Sequence, residues 1–223
     1  MGVNSRLTAE DGHEFAAYVV ESAGVARGAI VVIQEIFGVN SHIRSVADDY
    51  AAQGFHTLAP ALFDRIQRGV ELAYNSHDVA EGMQIARQIR MDDALKDVAA
   101  AIKYARLQWS GLKVGVLGYC FGGSLAWLAS TRLDPAAAVG YYGGRIAQSA
   151  SEVPRCPVML HFGAKDRHIG PEEVAKIRLA HPDLPVFVYD AGHGFNCDQR
   201  KDFDRDAASL ARQRTLEFFQ NYL

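Results

Sequence analysis

The chain has 223 residues, 49% of them hydrophobic and 22% charged, with a formal net charge of -3. A chain of this size buries roughly two thirds to three quarters of its unfolded surface and needs no disulfide staples. The near-neutral charge and the absence of a long basic run argue against nucleic acid or an anionic membrane surface as a partner.

In chain order, EFAAYVV (14–20) alternates like a half-exposed strand, and GAIVVIQ (28–34) reads as a buried one. SHIRSVADDYAAQG (41–54) predicts a helix capped by Ser41 and ended by Gly54, and FHTLAPAL a short strand ending near Pro60. Two successive helices are expected between about Asp78 and Gln108. Strand KVGVLGY (113–119) leads into a helix from about Phe121 to Arg132, followed by buried strands in PAAAVGYYG and CPVMLHFG. Helix PEEVAKIRLAH, strand PVFVYD and a final helix from about Asp204 to Tyr222 complete the pattern. Strands alternating with helices predict an α/β fold with a mainly parallel sheet covered on both faces. With no linker-like or repeated segment, one domain over 1–223 is expected. Ligands of open α/β sheets bind at the carboxyl ends of the strands, so those positions carry the search for chemistry.

The N-terminus lacks the pattern of a secretory signal, and no stretch is long and apolar enough to span a bilayer. Cys120, Cys156 and Cys197 are odd in number and widely spaced, without metal-ligand pairing. A cytoplasmic protein with free thiols, no cofactor and no metal is expected, as a monomer or small homo-oligomer.

Gly118-Tyr-Cys-Phe-Gly122 is a G-x-S-x-G nucleophile elbow with sulfur in place of oxygen. The glycines let strand and helix approach closely, and the helix N-terminus favours thiolate over thiol. An inert core cysteine is the competing account. A phosphate-cradling loop is disfavoured because the glycines do not follow G-x-G-x-x-G. In the elbow fold an acid and then a histidine follow the nucleophile. His161 lies in an apolar strand, His181 abuts Pro182, and His168 follows early. His193, between Gly192 and Gly194 after a strand, suits a general base. Asp166, directly after a strand, is the leading acid, with Asp190 and Asp198 as competitors. The fold also nominates the amides of Ile36 and Phe121 for an oxyanion hole. Glu35, at the end of a buried strand, is either a solvated loop carboxylate or a group inside the site.

The stretches QEIFGVN (34–40), GYCFGG (118–123), AVGYYGG (138–144), GAKDRHI (163–169) and AGHGF (191–195) together resemble the dienelactone hydrolase (carboxymethylenebutenolidase) family of α/β-hydrolases. The resemblance implies a Cys120–His193–Asp166 triad, Glu35 as partner of the thiol, and Tyr142 lining the pocket. It implies cleavage of a small lactone or carboxylic ester through a thioester, with no cofactor. Two arginines that hold the substrate carboxylate in the family fall at Val79 and Cys197 here. Arg87, Arg90 and Arg145 are the candidate replacements. The alternatives are a carboxylesterase for a neutral substrate and a non-catalytic thiol sensor on the same scaffold.

Overall fold

The computed structural model describes residues 2–223. Its strands are β1 (Val3–Thr8), β2 (Glu14–Val20), β3 (Gly28–Ile33), β4 (Phe55–Pro60), β5 (Val114–Tyr119), β6 (Ala137–Tyr141), β7 (Val158–Gly163) and β8 (Val186–Tyr189). The helices are α1 (Ser41–Ala52), α2 (Ser76–Gln88), α3 (Met91–Gln108), α4 (Phe121–Arg132), α5 (Pro171–Ala180) and α6 (Arg205–Tyr222). They build one sheet in the order β1-β2-β4-β3-β5-β6-β7-β8. Strands β3 to β8 run parallel, while β1 and β2 form an antiparallel hairpin at one edge, β2 pairing antiparallel with β4.

Every residue of β3, β5, β6 and β7 is buried. That explains their unbroken apolar runs, because a parallel strand sandwiched between helices has no polar face. Side chains alternate across a strand, so Gly115 and Gly118 point to opposite faces of the sheet. A Cβ on Gly115 meets Phe219 of α6, whereas one on Gly118 overlaps the Gly122 carbonyl of α4, so α6 and α4 cover opposite faces. Helix α1 shares the face of α6: Tyr50 packs edge-on against Phe219, and Arg212 donates to both oxygens of Asp49.

Two details differ from the sequence reading. Helix α1 is capped by Asn40, whose side chain accepts from the Ile43 amide, and Ser41 is already helical. Strand β1 carries no alternation that marks it, since Leu7 is its single buried residue. Among the described residues no helix is long and apolar enough to cross a membrane.

Candidate active site

Four parallel strands deliver their following residues to one end of the sheet. Glu35 and Ile36 follow β3, Cys120 follows β5, Asp166 follows β7, and His193 follows β8. Cys120 has φ 53° and ψ -108°, a backbone conformation in which an L-residue is strained. The turn is held from both sides. The Cys120 amide donates to the Tyr141 carbonyl at 3.0 Å, and the Gly122 amide donates to the Gln34 carbonyl at 3.0 Å. A side chain on Gly118 would overlap the Gly122 carbonyl, and one on Gly122 would overlap the Ile33 carbonyl. Only glycine lets β5, α4 and the end of β3 come this close.

A relay of three groups results. His193 Nε2 lies 3.1 Å from Cys120 Sγ, and His193 Nδ1 lies 2.7 Å from Asp166 Oδ2. The other carboxylate oxygen of Asp166 accepts from the amides of His168 at 2.8 Å and Ile169 at 3.2 Å, which fixes the group in the turn after β7. Burial raises the Asp166 carboxyl, but the His193 hydrogen bond and charge and these two amides outweigh it and hold it below its usual value. Burial opposes charge on His193, yet the neighbouring sulfur and the Asp166 carboxylate lift it to about 10. His193 is therefore held as imidazolium at neutral pH, with Nε2–H directed at Sγ.

The competing assignments resolve into other roles. Asp190 pairs with Lys165 at 2.8 Å, and Asp198 with His42 at 3.2 Å. His161 is fully buried between Tyr189 and Thr215, and burial drives its pKa down to about 3, so it stays neutral in the core. His181 meets the Ala150 carbonyl at 2.7 Å, remote from the relay. His168 stands edge-on to His193 with ring centroids 5.2 Å apart, and it lines the same cavity.

That cavity, about 300 Å³, has Cys120, His193, Ile36 and Phe121 among its lining residues. Phe121 is the first residue of α4, so its amide has no partner within the helix. The Gly122–Gln34 hydrogen bond keeps the segments that carry the Phe121 and Ile36 amides side by side. Val79, Met83, Ala86 and Phe37 supply apolar wall, while Arg87, Arg145 and Arg200 also line the space. Arg90 does not: it is exposed at the start of α3, with Nε 3.9 Å from Asp93. A larger groove of about 640 Å³ lies at the amino ends of β7 and β8, the wrong end of a parallel sheet for ligand chemistry, and holds none of these residues.

Glu35 is 1% exposed, so the solvated-loop alternative fails. One oxygen lies 3.1 Å from Arg200 Nη1, and the other accepts from the Tyr74 hydroxyl at 3.3 Å. Its hydrogen bonds therefore go to these two groups and not to Cys120. Tyr142 is also fully buried, with φ 37°; its ring packs 5.1 Å from that of His193, behind it, instead of lining the cavity. Cys197 is buried and Cys156 half-buried. Sequence reasoning missed Arg200 and Tyr74. Arg200 follows His193 by seven residues in a loop without periodicity, so nothing local marks it as turned inward.

A strained turn above a parallel sheet, with its partners on the strands that follow, defines the α/β-hydrolase class, and solved structures of that class superpose on the whole chain. A Klebsiella pneumoniae protein assigned to the dienelactone hydrolases aligns at TM-score 0.83 and 25% identity over 100% of both chains. The dienelactone hydrolase family model matches residues 15–223, and the chain belongs to that family. It is 35% identical over 217 residues to the carboxymethylenebutenolidase of Pseudomonas putida, covering 93% of this chain and 92% of that one. It is 33% identical over 219 residues to carboxymethylenebutenolidase 1 of Cupriavidus pinatubonensis, covering 95% and 93%. The protein is thus an enzyme, a dienelactone hydrolase-like hydrolase.

Proposed function

We propose that the chain hydrolyses a small anionic lactone or carboxylic ester through a Cys120–His193–Asp166 triad and a thioester acyl-enzyme. The observation that carries this reading is the relay itself: Sγ to Nε2 at 3.1 Å and Nδ1 to Oδ2 at 2.7 Å, at the floor of the cavity. The Cys120 sulfur attacks the carbonyl carbon, and the amides of Ile36 and Phe121 hold the developing oxyanion, about 3 kcal/mol for each donor. As the C–O bond breaks, the imidazolium of His193 gives its Nε2 proton to the departing alkoxide or enolate. In a lactone that oxygen stays tethered to the acyl group. His193, now neutral, takes a proton from water; hydroxide adds to the thioester, and Cys120 leaves as thiolate. Asp166 keeps the proton on Nδ1 and offsets the imidazolium charge. Esters suit this nucleophile better than amides, because thiolate leaves more readily than an unprotonated amine.

Three arginines around a cavity of this size favour a substrate carboxylate. Arg200 is the most enclosed of them and is already oriented by Glu35, so a bound carboxylate competes with Glu35 for its guanidinium. Glu35 released in this way is free to serve as the partner of the Cys120 thiol. The test is the ratio of kcat/KM for a carboxylated dienelactone to that for an uncharged analogue of similar size. A preference of at least about tenfold for the anion, one charge-assisted contact's worth, is expected. Equal turnover of both compounds refutes the anionic assignment and points to a neutral ester held by Val79, Met83 and Phe37.

A further inference from the structure

We propose that Glu35, His42 and Cys197 form a binding site for one borderline-soft divalent transition-metal ion of the Zn²⁺ class. The three residues come from the end of β3, the first turn of α1 and the loop after His193, so no spacing in the sequence announces them. All three are buried, and one ligand atom from each lies within 4.8 Å of the other two.

His42 supplies the independent sign. It is 4% exposed, and its Nδ1 lies 3.2 Å from the Asp198 carboxylate. A carboxylate accepts, so Nδ1 carries the proton and Nε2 keeps its lone pair. That Nε2 is buried without any hydrogen-bond partner. Buried ring nitrogens are ordinarily satisfied, so an unpartnered one on a ring that lies within ligand distance of a carboxylate and a thiol is available as a ligand. The Asp198–His42 contact is also the carboxylate–histidine support that orients metal-bound imidazoles.

The donor set decides the ion. One sulfur, one imidazole nitrogen and one carboxylate oxygen match Zn²⁺ and its neighbours Co²⁺ and Cd²⁺, and do not match Mg²⁺ or Ca²⁺, which require oxygen. Three protein ligands leave a fourth position for water. A thiol binds a metal ion as thiolate, so Cys197 must give up its proton when an ion arrives. Binding then forms the metal–sulfur bond and breaks S–H, with one proton released to solvent; the charge of the ion drives that exchange. Glu35 has a second oxygen to offer, because Tyr74 holds it only at 3.3 Å. The positive charge of Arg200 on the same carboxylate opposes the ion and makes the site weaker than a closed structural zinc centre.

The test is a Co²⁺ titration of the Cys120→Ser protein, in which the Cys120–His193 pair cannot supply the sulfur. Expected are one Co²⁺ per chain, a thiolate-to-cobalt charge-transfer absorption, about one proton released per ion, and displacement of cobalt by Zn²⁺. Adding Cys197→Ser abolishes the absorption, and adding His42→Gln weakens binding at least about tenfold. Absence of the absorption in the Cys120→Ser protein overturns the proposal, as does its survival after Cys197→Ser, which would assign it to Cys156. If the Cys197→Ser protein fails to fold, unchanged affinity in the His42→Gln protein overturns it equally.

Discussion

Cys120 combines two features that a purely structural thiol does not need: a backbone with φ 53°, and a histidine nitrogen 3.1 Å from its sulfur. A residue held in such a conformation costs about 1–3 kcal/mol, which the surrounding hydrogen bonds must offset. Replacing the sulfur by hydrogen leaves that backbone in place. Cys120→Ala is therefore expected to lower kcat for an activated ester by at least about 10³-fold, with the folded state retained by circular dichroism. Ester turnover near the wild-type level would exclude Cys120 as the nucleophile. Arg200 and Glu35 make the second prediction at this scale. Removing one partner of a buried ion pair leaves the other uncompensated, so Arg200→Gln should destabilise the fold by about 3 kcal/mol in urea unfolding. It should also raise KM for an anionic substrate more than for a neutral one. Cys120, His193 and Asp166 could be nominated from the sequence because each stands at a strand end in a glycine-rich or turn context, and the fold brings the three together. Arg200, Tyr74 and His42 stand in no such context. They come close to Glu35 only because the chain folds back, so their placement was invisible before the distances were known.

Helix α4 was legible almost to the residue, yet not for the usual reason. Each position from Phe121 to Thr131 is buried, so it has no polar stripe to mark its period. A helix apolar all round is one covered on every side. Its start is set by the elbow and its end by the Arg132-Leu133-Asp134 break toward β6. The contact between Gly118 and the Gly122 carbonyl fixes how α4 leaves β5. A methyl group there must push backbone against backbone, so Gly118→Ala should cost at least about 2 kcal/mol, at the upper part of the overpacking range, and lower activity through the displaced turn. Gly144→Ala is the control, since its nearest atom would lie at 3.9 Å; it should stay within about 0.5 kcal/mol of wild type in the same unfolding experiment. Equal effects of the two would mean that the elbow does not depend on that close approach. The first strand, β1, was not legible. An edge strand with one buried residue looks like any polar segment, and only its six-residue pairing with β2 makes it a strand.

For the whole molecule, the parallel sheet was foreseen because its interior strands are buried on both faces and so read as continuous apolar runs. The same sheet brings charge to its carboxyl end, which links folding to pH. His193 is raised from 6.5 to about 10 in the folded state. A group raised in this way contributes stability that is complete below its unfolded value and is lost as pH rises through the folded one. The stability difference between wild type and His193→Gln should therefore shrink steadily from pH 6.5 to pH 10, as measured by urea midpoints. A difference that grows over that range would show that His193 is neutral in the folded enzyme. Asp166 acts in the opposite direction, its contribution fading as pH falls below 4.

The acyl-enzyme is the central claim, and intact-protein mass spectrometry after an acid quench tests it most directly. With an activated aryl ester in excess, the wild-type protein should gain the mass of one acyl group, mapped to the peptide that contains Cys120, and the Cys120→Ala protein should gain none. Hydrolysis by the wild type with no adduct on Cys120, together with an unchanged rate in the variant, would contradict the thiol mechanism.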